Sequence, residues 1–128
     1  MRMADIIDEL NEYVETKLFS PDEYDIFVII PNNCEVRKDI KETFKKFVKD
    51  ITVSLDRGYN KREIMKLLKN TLKKFNKFIF DTEDKEFVCH CFARISKILD
   101  MDFGNELNKW LYGRTLNLLL KLGDYLKK

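Results

Sequence analysis

One group of residues has side chains suited to metal or nucleophilic chemistry, the tripeptide Cys89-His90-Cys91. Thiolate and imidazole groups are ligands that zinc prefers, and Cys34 could supply a fourth. On a helix, however, side chains two positions apart point about 200° away from each other, so these two thiols would not face one ion. A Cys–His nucleophile pair fails because adjacent helical side chains diverge. We therefore predict no metal site and no cofactor, and we interpret Cys91 as a small buried apolar side chain.

Other catalytic patterns are missing from the sequence. There is no glycine-rich phosphate loop and no nucleophile-elbow serine, and His90 is the only histidine. The clustered carboxylates of Glu83, Asp84 and Glu86 are explained by a helix start, where acidic side chains suit the helix dipole. We therefore expect a protein without catalytic residues. An enzyme that uses His90 and these carboxylates is the alternative.

Charge is distributed unevenly along the chain, although the net charge is only +2. Residues 1–36 carry two basic and nine acidic side chains, whereas residues 37–77 carry fourteen basic and five acidic ones. Residues 78–128 carry eight of each. A chain whose charge is divided in this way can present charged faces to a binding partner. Alternatively, the charged faces are simply solvated by water.

Three sets of charged side chains each share one predicted helix face. The acidic face of the first helix consists of Asp5, Asp8, Glu9, Glu12 and Glu15. The lysine face of the third helix consists of Arg62, Lys66, Lys69, Lys73 and Lys77, and that of the second of Lys38, Lys41, Lys45 and Lys49. Lysine rows can bind phosphates, but the intervening aromatic residues lie on apolar stripes and cannot stack on bases. For the lysine faces we favour a solvated surface that the acidic face partly neutralises.

Apolar residues at helical spacing predict the elements that position these groups. The pattern indicates helices at about residues 4–17, 36–55, 61–75, 82–99 and 104–126, and Gly113 either divides the last of these into two helices or merely weakens it. Gly58 is predicted to end the second helix, Asn60 to cap the third, and either Asp81 or Thr82 to cap the fourth. Glycine and proline total only six residues. We therefore predict an all-α, single domain over residues 1–128, a compact bundle of about five amphipathic helices.

Residues 20–31 give two conflicting signals. The sequence SPDE at residues 20–23 has the form of a capping box, begun by Ser20 and completed by Glu23. The sequence IFVII at residues 26–30 is β-branched and aromatic, which favours an extended segment. We favour a short helix or turn, with a strand as the alternative.

Two aromatic segments are predicted to join the core. The sequence FIF at residues 78–80 is interpreted as an apolar connection tucked against the core. Trp110 lies on the apolar stripe of the last helix, so we interpret it as a core residue, although tryptophan is also a frequent interface anchor.

Three segments carry a resemblance to a known family: DTEDKE at residues 81–86, the stretch Cys89–Phe92, and LNKWLYG at residues 107–113. In them the chain resembles an uncharacterised family of small bacterial domains that is known only as a domain of unknown function. The resemblance implies a helical fold and a bacterial origin, and it supplies no catalytic residues. Such domains usually stop soon after the final glycine, whereas this chain continues through an amphipathic extension at residues 114–128.

These observations predict a non-catalytic domain that binds another protein through the acidic face. An immunity protein that neutralises a toxin is one concrete form of it. The alternative is a nucleic-acid-binding protein that uses the lysine faces. An odd number of cysteines, the lack of an export signal and the lack of an apolar run of about 20 residues predict a cytoplasmic protein without membrane contact. The sequence does not specify an oligomeric state.

Overall fold

Five helices account for most of the chain in the computed structural model, which describes residues 3–58 and 60–111. Their bounds are Met3–Glu12 (α1), Cys34–Asp56 (α2), Lys61–Phe75 (α3), Thr82–Leu99 (α4) and residues 104–111 (α5). No strand occurs in these ranges, which confirms the predicted all-α bundle. None of the described helices combines the length and the apolar composition needed to cross a membrane. The predicted extension at residues 114–128 lies outside the described residues.

Two short helical turns lie between α1 and α2. A π-helical turn at Tyr13–Lys17 continues α1 directly, and a 3-10 turn occupies Pro21–Glu23. The first predicted helix, at about residues 4–17, is therefore correct in extent but changes its hydrogen-bonding pattern over its last five residues.

Local capping sets the ends of three helices. Asn33 and Asn60 each accept two hydrogen bonds from the first-turn N–H groups of α2 and α3. At the start of α4, Asp81 Oδ1 accepts from the Asp84 N–H at 2.8 Å, and Asp84 Oδ2 accepts from the Asp81 N–H at 3.3 Å. The chain leaves α2 at Gly58, whose φ of 115° favours glycine. The predicted cap at Asn60 and the stop at Gly58 are confirmed, and of the two candidates for the cap of α4, Asp81 is the one that caps.

Ser20 occupies the N-cap position of the 3-10 turn, as predicted, but its side chain makes no capping hydrogen bond, so the predicted capping box is wrong. The backbone carbonyl of Ser20 accepts a hydrogen bond from the Glu23 N–H at 3.1 Å, so the amide that the serine hydroxyl would cap is already bonded. The Glu23 carboxylate does not return to Ser20, because it accepts a hydrogen bond from Arg94 Nη2 of α4 at 2.8 Å. The short helix or turn is right for Pro21–Glu23 and for residues 26–27, where the Val28 N–H donates to the Asp25 carbonyl at 3.0 Å, and the strand alternative for residues 26–30 is wrong.

Phe92 of α4 lies at the centre of the core. Its buried ring is 4.7 Å from the ring of Phe44, 5.3 Å from that of Phe47 and 5.9 Å from that of Phe75, measured between centroids. All three pairs meet edge to face, a geometry that aromatic rings prefer. One side chain therefore joins α4 to both α2 and α3.

The α3–α4 connection and α5 cover one side of this core. Trp110 packs 6.2 Å from the Phe75 ring, and its Nε1–H donates to Asn76 Oδ1 at 2.7 Å. Trp110 is half-buried, so it packs against the core as predicted without being enclosed by it. The prediction for residues 78–80 holds for the two phenylalanines but is wrong for Ile79, whose side chain is fully exposed.

The central position of Phe92 makes it sensitive to truncation. We expect Phe92→Ala to lower the free energy of unfolding by about 3–5 kcal/mol, because it removes a buried ring and leaves a cavity between three helices. Urea denaturation measures the change. The matched control is Phe27→Ala, which removes a ring that is 85% exposed and should change the free energy by less than about 0.5 kcal/mol. Equal losses in the two variants would contradict the assigned core.

The capping assignments make a second prediction about stability. Asp81→Ala should lower the free energy of unfolding by about 1 kcal/mol, because a first-turn N–H group of α4 loses its acceptor. Ser20→Ala should be neutral to within about 0.5 kcal/mol, because the hydroxyl makes no capping bond. Thermal and urea unfolding of both variants measure the two changes in stability. A larger loss of stability in the Ser20 variant than in the Asp81 variant would show that the Ser20 side chain does act as a cap.

Candidate interaction surfaces

The Cys89-His90-Cys91 tripeptide is dispersed around α4. Cys91 is buried, Cys89 is half-buried and His90 is exposed. Burial raises the pKa of the Cys91 thiol to about 12, and burial together with the Glu86 charge raises that of Cys89 to about 12. Both thiols are therefore protonated at neutral pH. Within residues 3–58 and 60–111, no three histidine, cysteine or acidic side chains are grouped to hold a metal ion.

Cys91 belongs instead to a hydrogen-bonded cluster with two tyrosines. The hydroxyls of Tyr13 and Tyr24 are 2.6 Å apart, and the Tyr24 oxygen lies 3.4 Å from Cys91 Sγ. Tyr24 donates its proton to the carbonyl of Leu18, so it accepts from Tyr13 and from the thiol. Burial raises the pKa of both phenols well above the usual range, which keeps the cluster neutral. The cluster ties α1, the following connection and α4 together.

The segment at residues 25–31 presents an apolar surface. Its side chains alternate, because Val28 and Ile30 are half-buried against the core while their neighbours point outward. The β-branched and aromatic composition of the segment favoured a strand, but no strand occurs in the described part of the chain. The outward side chains are Ile26, Phe27 and Ile29, which are 91%, 85% and 55% exposed.

The α3–α4 connection faces this segment across a groove. Ile29 and Ile79 both line the groove, which has a volume of about 540 Å³. Val36 and Phe80 add apolar surface to it. Together with the outward side chains of residues 25–31, Ile79 forms what we call the apolar patch: Ile26, Phe27, Ile29 and Ile79.

Sequence reasoning missed the apolar patch because it used the IFVII sequence only to choose between helix and strand. A signal was available. Five consecutive large apolar residues, in a segment too short to form a buried helix, must direct part of their side chains away from a single core. No sequence signal indicated that Ile79, on the other side of the groove, is exposed, because it lies between two phenylalanines that do pack inward.

The acidic face of α1 is exposed at all five positions that the sequence singled out. Two of its carboxylates are paired: Glu12 Oε1 lies 3.4 Å from Lys17 Nζ, and Glu15 Oε1 lies 3.3 Å from Lys45 Nζ of α2. The other three carboxylates form no ion pair with any residue that the structure describes. They belong to Asp5, Asp8 and Glu9.

The lysine face of α3 is also exposed at every position: Arg62, Lys66, Lys69, Lys73 and Lys77. Lys69 Nζ lies 3.9 Å from Glu106 Oε1 of α5. On the lysine face of α2, by contrast, Lys45 pairs with Glu15 of the turn after α1. The two lysine faces therefore lie beside different neighbouring helices.

Comparison with known proteins supports the fold. No curated protein matches the sequence. The chain is similar to a DUF3571 family protein from Acinetobacter baumannii AYE, whose crystal structure matches with a TM-score of 0.76 and 21% sequence identity. The similarity covers 92% of this chain and 97% of that chain. At this level of identity it establishes a shared helical architecture and nothing about activity.

A family model supplies the assignment. The model described as Domain of unknown function (DUF4844) matches residues 2–115. The match includes all three segments on which the sequence resemblance rested, and it ends two residues after Gly113. Most of the amphipathic extension at residues 114–128 lies beyond it. The chain therefore belongs to the DUF4844 family, a domain of unknown function.

Proposed function

We propose that this chain is a non-catalytic domain that binds another protein, with the acidic face of α1 as part of the binding surface. The observation that carries the proposal is the exposure of all five carboxylates on a helix whose other side is packed. Leu10 of α1 is buried, as are Tyr13 and Val14 of the π-helical turn that continues it, and α1 contacts both α2 and α4. The carboxylates are thus held on a rigid element, and binding a partner there costs little ordering entropy in this chain.

The charge of this face points to a basic partner. Asp8 and Glu9 are consecutive exposed residues of α1, and neither has an ion-pair partner among the described residues. A partner surface of lysine and arginine would supply the missing charge and would be steered towards the face during encounter. An immunity protein that neutralises a basic toxin is one concrete form of such a domain.

The state of the cysteines supports the non-catalytic part of the proposal. Two of the three thiols have a pKa near 12, and the single histidine points into solvent away from them. All three cysteines are free, which supports a reducing compartment such as the cytoplasm.

Nucleic-acid binding through the lysine faces is the competing proposal. The continuous row of exposed basic side chains along α3 favours it. Two observations weigh against it: each lysine face has a lysine within 4 Å of a carboxylate, and the two faces border different helices. We therefore rank protein binding first.

Thiol reactivity tests the absence of a catalytic cysteine. In the folded protein at pH 8, iodoacetamide should modify the exposed Cys34 first, and Cys89 and Cys91 at least about tenfold more slowly, because only a thiolate reacts and both thiols remain protonated. Mass spectrometry of timed samples measures the three rates. A Cys34→Ser control should lack the fast phase. Fast modification of Cys89 or Cys91 would contradict the proposal by revealing an activated thiol.

Charge reversal on α1 tests the binding surface. The partner is first isolated by a pull-down of the tagged protein from its source cells, with mass spectrometry for proteins and ultraviolet absorbance for nucleic acid. Asp8→Lys/Glu9→Lys should then lower the association rate constant roughly tenfold at low ionic strength, and the loss should shrink at high salt. Asp5 is left unchanged because it lies in the first turn, where its charge stabilises the helix.

The matched control for charge reversal is Glu42→Lys/Asp56→Lys, the same change in net charge at two exposed positions of α2. It should leave the association rate within about twofold of the parent protein, because the substituted groups lie outside the acidic face. Equal effects of the two double variants would remove the acidic face from the proposal. An eluate that contains nucleic acid released by salt, and no protein partner, would favour the lysine faces instead.

A further inference from the structure

Large apolar side chains are exposed mainly in one region of the described chain. Four of the six lie in the apolar patch, whereas Met3 and Val53 lie apart on α1 and α2. Ile26, Phe27 and Ile79 are each at least 85% exposed, and Val53 is 44% exposed. A group of large apolar side chains left in water is a feature of interaction sites, because water is displaced from them when a partner binds.

The patch is held in place by hydrogen bonds on both sides of it. On its N-terminal side, Asp25 accepts from the Phe27 N–H at 3.1 Å through Oδ1 and from the Val28 N–H at 3.0 Å through its carbonyl. On its C-terminal side, Pro31 is buried and its carbonyl accepts from Arg37 Nε. The outward side chains are therefore presented by an ordered backbone, which lowers the entropic cost of binding.

Acidic side chains border the groove beneath the patch. Asp81, Glu83 and Asp84 line it, and its described lining contains no lysine or arginine. Asp25 adds a further exposed carboxylate next to the outward residues. A binding segment that enters the groove therefore meets apolar surface from Ile29 and Ile79 together with negative charge.

The helix ends at the groove do not reverse this charge. The N-termini of α2 and α4 both lie at its edge, and a bare helix N-terminus attracts anions. Here, however, two first-turn N–H groups of α2 already donate to Asn33, and one of α4 donates to the Asp81 carboxylate, which itself places a negative charge at that helix end. The groove therefore favours a cation, because the carboxylates are its remaining charged groups among the described residues.

The same charges argue against a second copy of this chain as the occupant. A symmetric dimer places the same patch on both sides of the interface, so the carboxylates of Asp81, Glu83 and Asp84 would face an identical set. Like charges across an interface cost free energy and suppress the pairing. The occupant that fits both the apolar side chains and the charge is a segment that is apolar and basic.

We propose that the apolar patch and its groove dock a segment of a partner protein in which a large apolar side chain is flanked by lysine or arginine. The apolar side chain fills the groove between Ile29 and Ile79, and the basic groups pair with the carboxylates that line it, of which Glu83 is not used in the capping of α4. A groove of about 540 Å³ accommodates one or two large side chains. This inference rests on the proposed function, since it requires a protein partner, but it uses a surface distinct from the acidic face of α1.

The test uses the full chain and a fluorescein-labelled 12-residue peptide of alternating leucine and lysine pairs. Two control peptides replace all leucines by serine or all lysines by glutamate. We expect the leucine–lysine peptide to bind at least tenfold more tightly than either control by fluorescence anisotropy. In ¹H–¹⁵N NMR spectra it should shift the amide signals of residues 25–33 and 78–84. Equal binding of the leucine–glutamate peptide, or shifts confined to α1, would overturn the proposal.

Two protein variants separate this surface from that of the proposed function. Phe27→Ser/Ile79→Ser should weaken peptide binding at least tenfold, whereas Val53→Ser, the control at an exposed apolar residue of α2, should not. All three side chains are exposed, so thermal unfolding should confirm that both variants remain folded. If Asp8→Lys/Glu9→Lys abolishes peptide binding and Phe27→Ser/Ile79→Ser does not, the groove proposal is wrong and the acidic face is supported. A dimer in sedimentation that the Phe27→Ser change dissociates would also overturn it, in favour of a second copy.

Discussion

The burial of Phe92 among rings from α2 and α3 is the contact on which the rest of the structure depends. It packs the apolar face of α4 against both helices, and the buried side chains of α4 follow one another along that face. A second part of α4 then receives the connection that follows α1: Phe19 and Tyr24 lie 5.7 and 5.3 Å from the ring of Phe87. Because that connection is drawn onto α4, the residues after it cannot all reach the core. The exposed apolar patch is therefore a consequence of how the core is filled.

Burial also decides which groups can do chemistry. The most reactive side-chain types in the sequence, the adjacent thiols of α4, are either enclosed or half-enclosed and are held protonated. Cys91 serves as a hydrogen-bonding group for Tyr24, and that contact fixes a connection in place. The two surfaces that we propose for recognition lie elsewhere: a row of carboxylates on α1 and an apolar patch with an acidic groove. Each would suit a basic protein partner, and neither requires a reaction.

Local sequence patterns predicted the helices well, because their determinants are local. The apolar stripes place the described helix bounds within a few residues, and Asn60 and Asp81 cap as predicted because both partners of a cap lie within three residues. The failures have nonlocal causes. Ser20 has the right neighbours for a cap, but Glu23 is drawn away by Arg94, which lies 71 residues further along the chain. The cluster of Tyr13, Tyr24 and Cys91 likewise joins residues that no short pattern relates.

The same division applies to the candidate surfaces. The sequence by itself determined the fold class, the helix order and the exposure of the acidic and lysine faces, because charged side chains on one helical stripe turn away from an apolar stripe whatever that stripe packs against. Only the tertiary structure decided that Ile79 is exposed while its phenylalanine neighbours pack, and that it meets Ile29 across a groove. The physical reason is that the core has a finite volume. Which apolar side chains fill it, and which are left in water, depends on how all five helices pack together.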